Sequence, residues 1–231
     1  QEGLELAFND WLTGKPGAQK IIRDGSGHIV EKVDLVREAQ PGKDLALSID
    51  RRIQYLAYRE LKSALINSQA RSGSAVVIDV KTGEILAMVN QPSYNPNSRA
   101  SSSPFLHRNR AVTDVIEPGS VIKSITVAAA LENGVDPNIR IDTNPGIMAL
   151  DKYSIRDTSN HGIVSLEGLL QMSSNIGAAK LAGNMSNAHL YDVLHRFGYG
   201  KTTNSGFPGE SAGVLSPAQK WGPVEKATIS Y

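Results

Sequence analysis

The sequence predicts an α/β chain of the α+β type, with antiparallel hairpins and helices in separate stretches. Three observations predict it. Two pairs of β-prone runs each fold back on a turn-rich stretch, one around DGSG and one around Asp79–Glu84. An apolar stripe of helical period runs from Arg51 to Ser68. Beyond Ser120, helix-forming segments alternate with turn-rich ones.

The bulk numbers narrow the class. Of 231 residues, 40% are hydrophobic, enough for a core. Lys and Arg total 24 against 23 Asp and Glu, a net charge of +1, with no basic run or aromatic–basic interleaving, so nucleic acid is not expected as a partner. Without cysteine, neither a disulfide framework nor a thiolate metal site is possible. His28, His107, His161, His189 and His195 show no metal spacing. The longest apolar run, Ile125–Leu131, falls far short of the ~18–20 residues that span a bilayer. The chain opens on QEGLELAFND, which is amphipathic and acidic rather than a signal peptide, so any export signal or anchor is expected outside these residues.

In chain order, GLELAFNDWL reads as one short amphipathic helix ended by TGKPG, and QKIIRDGSGHIVEKV as a hairpin. QPGKD at 40–44 is a plausible boundary, which makes 1–45 the tail of a preceding domain. LALSID is expected as a strand whose last residue, Asp50, caps the helix 51–68. SGSAVVIDVKTGEILAMVN reads as a second hairpin, and its nearly continuous apolar runs predict a sheet covered on both faces. Residues 90–118 form a long polar loop with four prolines, and loops of that length are usually functional. Helices are then expected from Ser120 to Gly134, near 165–172, near 175–182 and near 188–197. The tail is expected to be loop-like until EKATISY.

The chemistry lies in EPGSVIKSITVAAALENG. This helix start carries a lysine, Lys123, in its first turn, where the unpaired N–H groups and partial positive charge disfavour a cation. Apolar neighbours disfavour it further by desolvation. A neutral amine would fit both. At spacing i, i+3, Lys123 shares a helical face with Ser120 and lies within hydrogen-bond reach. The pair reads as a nucleophilic serine with a lysine base, and the Ser120 N–H can donate to an oxyanion. Read alone, the same residues fit a serine cap and a lysine reaching to solvent. A second element, QMSSNIGAAKLA, supplies Ser173 for proton relay and Asn175 to hold a substrate carbonyl, although Ser173 or Ser174 could simply cap a helix. Ser93-Tyr94-Asn95 repeats the Ser-x-Asn form but reads as turn chemistry. GYGKT is no phosphate loop, because His195 stands where the first glycine is needed.

EPGSVIK followed by SSNIGAAKLA resembles the penicillin-binding transpeptidases. LALSIDRRIQ, SGSAVVIDVKTGEILAMVNQPSYNPN, RNRAVTDVIEPGS and FGYGKTTNSGFPGE resemble the class B, division-specific (septal) type. The resemblance covers essentially the whole chain. It implies a transpeptidase or serine β-lactamase-like fold, an antiparallel sheet flanked by helices. It implies that 1–45 ends a non-catalytic N-terminal pedestal domain and that 46–231 is the first part of the catalytic domain. The implied activity is peptidoglycan D,D-transpeptidation. The serine matching Ser120 attacks D-Ala–D-Ala, Lys123 matches the base, Ser173 the relay and Asn175 the amide that holds substrate. Penicillin and other β-lactams acylate the same serine, and no metal or organic cofactor is implied. The implied partners are stem peptides as donor and acceptor, a septal glycan polymerase and other division proteins. The implied location is the bacterial inner membrane, by a single-pass anchor outside this chain, with the catalytic domain in the periplasm. The family's third motif, Lys-Thr-Gly, is expected beyond Tyr231 in a longer polypeptide. Lys81-Thr82-Gly83 is expected only as a turn. A hydrolase using the same Ser-x-x-Lys logic differs in fast deacylation, and a β-lactam sensor or scaffold in lacking transpeptidation.

Overall fold

The computed structural model describes residues 3–98 and 103–231, and these fall into two compact units: Gln1–Asp114 with Asn204–Glu210, and Val115–Thr203 with Ser211–Tyr231.

In the first unit the expected opening helix is two short ones, α1 (Gly3–Ala7) and α2 (Asn9–Leu12). The segment around 40–42 folds back against 12–15 as backbone on backbone, with Lys15 bridged to Gln40. A Cβ on Gly42 would lie 1.8 Å from the Leu12 carbonyl oxygen and one on Gly14 2.2 Å from that of Gln40, so both positions require glycine. The expected hairpin is present as β1 (Ala18–Arg23) and β2 (Ile29–Arg37). Asp24 Oδ1 accepts the N–H groups of Ser26 and His28 at 2.9 Å in its turn.

LALSID is not a strand. It is irregular and touches its neighbour by single bonds, with Ser48 Oγ donating to the Ile85 carbonyl at 2.7 Å and Asp50 N–H to that of Leu86 at 2.9 Å. Asp50 does cap α3 (Arg51–Ser68), accepting the N–H groups of Arg52 and Ile53. The second hairpin is β3 (Gly73–Ile78) against β4 (Ile85–Gln91). Lys81-Thr82-Gly83 lies in its turn, where Asp79 Oδ1 accepts the Lys81 and Thr82 N–H groups and Gly83 takes φ +77°. Farther along β4 one side chain meets its edge: the Gln54 amide of α3 donates to the Met88 carbonyl at 2.9 Å and accepts the Met88 N–H at 2.8 Å. Coverage of both faces is not observed. β4 buries alternate residues Ala87, Val89 and Gln91, while Val76, Val77 and Ile78 of β3 are exposed in this chain. An apolar run reports tolerance of burial and does not say which partner supplies it.

The loop expected over 90–118 contains two short helices, α4 (Pro104–His107) and α5 (Arg110–Thr113). Residues 99–102 of that loop lie outside the described residues. Asn95 accepts the Asn97 N–H at 3.0 Å, so Ser93-Tyr94-Asn95 does sit in turn chemistry.

The second unit is built on helices. A 3-10 turn, Gly119–Val121, leads into α6 (Ile122–Glu132). Four short strands follow in stretches where only turns were expected: β5 (Ile141–Asp142), β6 (Ile147–Leu150), β7 (Tyr153–Arg156) and β8 (Ile163–Val164). They pair antiparallel, β5 with β8 and β6 with β7. Such brief strands carry too few residues for a periodic signal. The expected helices are α7 (Leu166–Met172), α8 (Asn175–Gly183) and α9 (Asn187–Arg196), each N-capped by a serine: Ser165, Ser174 and Ser186. A 3-10 turn at Ala218–Lys220 and α10 (Pro223–Ile229) end the chain, so helix begins earlier in the tail than expected. The core gathers Ile122 and Ile125 of α6, Leu169 of α7, Leu181 of α8, Leu190 and Leu194 of α9, and Trp221. Among the described residues no helix is long and apolar enough to cross a membrane.

Candidate active site

The geometry begins with what surrounds α6. Seven of its eleven residues are buried, Lys123 among them at 1% exposure. The lysine does not reach to solvent. Nor does Ser120 act as a cap, because neither the 3-10 turn nor α6 has a side-chain cap bond. Gly119 holds φ +59°, the left-handed backbone that lets the chain turn into the helix at this point. The Ser120 residue is exposed while the amine behind it is buried. Val121, the residue after Ser120, is 71% exposed.

The second element meets the first at the junction of α7 and α8. Ser173 ends α7 in the left-handed conformation, φ 53° and ψ 46°, unusual for a residue other than glycine. That backbone turns both the carbonyl and the hydroxyl of Ser173 to Lys123. Nζ lies 2.6 Å from the Ser173 carbonyl oxygen, 2.9 Å from Ser173 Oγ, 2.6 Å from Asn175 Oδ1 and 3.0 Å from Ser120 Oγ. All four residues singled out in the sequence therefore converge on one nitrogen.

Hydrogen counting gives this cluster its chemistry. The Ser173 carbonyl and Asn175 Oδ1 can only accept, so two N–H bonds go to them. A neutral amine is then left with one lone pair, facing two hydroxyls that can donate. An ammonium would instead donate its third hydrogen to one of the hydroxyl oxygens. Burial pushes the Lys123 amine below its ordinary value of 10.5, and the Asp157 carboxylate opposes that shift. The arrangement can take a proton from Ser120 and pass it through Ser173.

Asp157, which sequence reasoning missed, underlies the junction. It follows β7, and its Oδ1 accepts the N–H groups of Asn175 at 2.6 Å and Ile176 at 3.1 Å. Its Oδ2 accepts from Ser174 Oγ at 2.6 Å, and Ser174 Oγ accepts the Gly177 N–H at 2.9 Å. Asn175 Nδ2 donates to the Arg156 carbonyl at 2.8 Å. No sequence signal marks Asp157, because it caps a helix that begins well beyond it in the chain. α8 then packs closely on α7: a Cβ on Gly177 would lie 2.8 Å from Leu169 Cδ1.

Comparison with known proteins identifies the domain. Residues 73–231 match the penicillin binding protein transpeptidase domain. The chain is 44% identical over 231 residues to the peptidoglycan D,D-transpeptidase FtsI of Escherichia coli K12, covering 100% of this chain and 39% of that protein. It is 45% identical over 234 residues to PenA of Neisseria gonorrhoeae, covering 100% of this chain and 40% of that one. It thus spans about two fifths of the length of these curated relatives. Among solved structures, the apo transpeptidase (TP) domain of Burkholderia pseudomallei penicillin-binding protein 3 aligns with a TM-score of 0.72 and 42% identity, over 83% of this chain and 54% of that one. With its mixed helices and antiparallel strands, the chain belongs to the penicillin-binding protein transpeptidase family.

Proposed function

We propose that this chain carries the acyl-transfer site of a septal peptidoglycan D,D-transpeptidase. One observation carries the reading: a buried lysine amine hydrogen-bonded at once to Ser120, Ser173 and Asn175. The Lys123 lone pair takes the Ser120 hydroxyl proton as Oγ attacks the carbonyl between the two terminal D-alanines of a stem peptide. The Ser120 N–H, which intrahelical bonding leaves unused at a helix start, donates to the oxyanion. One hydrogen of Asn175 Nδ2 is engaged on Arg156, and the other serves the substrate amide. Ser173 relays the proton from Lys123 to the departing nitrogen as the C–N bond breaks. D-alanine leaves and Ser120 holds the acyl group. The amine of a neighbouring stem peptide then attacks, gives up its proton along the same route, and releases Ser120 with the cross-link formed. β-Lactams present a similar carbonyl and acylate the same oxygen.

In this reading 1–45 ends a non-catalytic pedestal domain and 46–231 begins the transpeptidase domain. The full-length protein sits in the bacterial inner membrane by an anchor outside this chain, faces the periplasm, and works with a septal glycan polymerase and other division proteins. The similarity to FtsI supports this wider setting. The test is the intact mass of the full-length protein with and without penicillin. A stable adduct on the Ser120 peptide, absent from Ser120→Ala, is the expected result. No adduct, or one that deacylates within a turnover, would overturn it, the latter in favour of a hydrolase.

A further inference from the structure

The side chains around Lys123 are not independently placed. Three of its four hydrogen-bonding atoms, the Ser173 carbonyl, Ser173 Oγ and Asn175 Oδ1, belong to one tight turn between α7 and α8. That turn holds Ser173 in the left-handed region, and such a conformation persists only where its surroundings over-determine it. We propose that Asp157 is the positioning residue of the site: its single carboxylate, bonded to Ser174 Oγ and to the N–H groups of Asn175 and Ile176, locks the Ser173–Asn175 turn in the form that aims three groups at the lysine amine. This rests on the proposed acyl-transfer reading and deepens it.

Asp157 can do so because it is itself held from the other side. Its N–H donates to the Gly146 carbonyl at 3.1 Å, and the β6–β7 hairpin lies just before it. Gly146, at φ +88°, passes so close to Asn160 that a Cβ would lie 3.2 Å from its backbone. Asp157 therefore ties the β6–β7 hairpin to the start of α8. It accepts three hydrogen bonds at a helix N-terminus, where a negative charge is favoured. Asp157 never touches the reacting atoms; it acts through Ser173 and Asn175.

The same carboxylate bears on the charge of Lys123. From α7 and α8 the amine faces Ser173 and Asn175, neither of which titrates in the working range. Lys180 of α8 is engaged on the Asp142 carbonyl and His189 of α9 on that of Ala129. Asp157 is the charge that acts on Lys123, favouring its protonated form against burial. Positioning and charge are thus separable by substitution. Asp157→Asn keeps an oxygen for the Asn175 and Ile176 N–H groups and removes the charge. Asp157→Ala removes both.

The experiment is the second-order rate of penicillin acylation across pH, on full-length wild type, Asp157→Asn and Asp157→Ala, with circular dichroism to establish folding. Asp157→Ala is expected to acylate about tenfold to a hundredfold more slowly, the scale that misplacement of reacting groups commands. Asp157→Asn is expected to recover most of that rate, with its pH midpoint moved to lower pH because the opposing carboxylate is gone. A folded Asp157→Ala with the wild-type rate overturns the proposal. If Asp157→Ala does not fold, Asp157→Ser, whose short hydroxyl cannot span the Ser174 hydroxyl and the two N–H groups, takes its place, and a folded Asp157→Ser with the wild-type rate overturns the proposal. A wild type that is not acylated at all would instead break the acyl-transfer reading, so the two failures are distinct.

Discussion

The helices α3 and α8 solve the same problem in opposite ways. α3, of eighteen residues, buries none of them fully. α8, of nine, buries six. α3 is capped by its own neighbour, Asp50, whereas α8 is capped by Ser174 and also by Asp157, from after β7. The first helix is assembled from local interactions: its apolar stripe leaves Leu56 at 50% exposure, and Ile66, off that stripe, is 68% exposed. The second exists in its present place only because a core surrounds it. A lysine amine is pushed toward its neutral form only in the second setting, where Lys123 itself is buried.

That contrast can be broken at several levels. The largest effect is expected at the site itself. Ser120→Ala abolishes the covalent penicillin adduct by intact mass, and Lys123→Met lowers the acylation rate by about 10²–10⁴-fold, the range for loss of a general base. In wild type the rate climbs as Lys123 loses its proton. Because burial lowers that group, the midpoint falls below 10.5; a midpoint at or above it would contradict the buried, neutral amine.

Next come the cores. Leu169 is fully buried where α7 meets α8, and Leu169→Ala is expected to cost about 2–5 kcal/mol in chemical denaturation. Ile66→Ala on α3 should stay within about 0.5 kcal/mol, as exposed substitutions do. Equal costs would erase the distinction between the two helices. Gly177→Ala sharpens it further. The added methyl meets Leu169 at 2.8 Å, so a loss of about 1–3 kcal/mol is expected, with slower acylation because the strain falls next to Asn175.

The smallest effect is expected at the local cap. The Arg52 guanidinium, with the N–H groups of Ile53 and Arg52, holds Asp50 down at about 2. Its folded value lies below the ordinary 3.8, so the cap contributes above that value and the contribution is lost as pH falls toward about 2. Thermal melts of wild type and Asp50→Asn should therefore differ at neutral pH and converge in acid, with acylation at neutral pH unaltered. Curves that stay parallel through acid would show that the carboxylate has no such part.

Much of this was legible before any coordinates. Asp50 and the stripe from Ile53 to Leu65 bound α3 at the residues observed, because a local cap and a 3.6-residue period are written in consecutive positions. The hairpins around DGSG and Asp79–Glu84 were legible for the same reason. Ser120, Lys123, Ser173 and Asn175 stood out through a cation placed at the wrong end of a helix and a second polar element at a helix junction. LALSID misled because its alternation is that of a strand, while its backbone groups find only isolated partners on β4. The four short strands of the second unit gave no period long enough to see.

Residue by residue, then, the sequence determined the elements whose bonds close within a few positions: α3 and its cap, two hairpins, three serine-capped helices, and the Ser120–Lys123 pair one helical turn apart. Tertiary structure alone decided what surrounds that pair. It buried Lys123 and brought Ser173 and Asn175 to its amine from a distant helix junction. It also placed Asp157 beneath that junction. Burial and charge depend on what lies around an atom in space, and a chain read in order carries only its neighbours along the backbone.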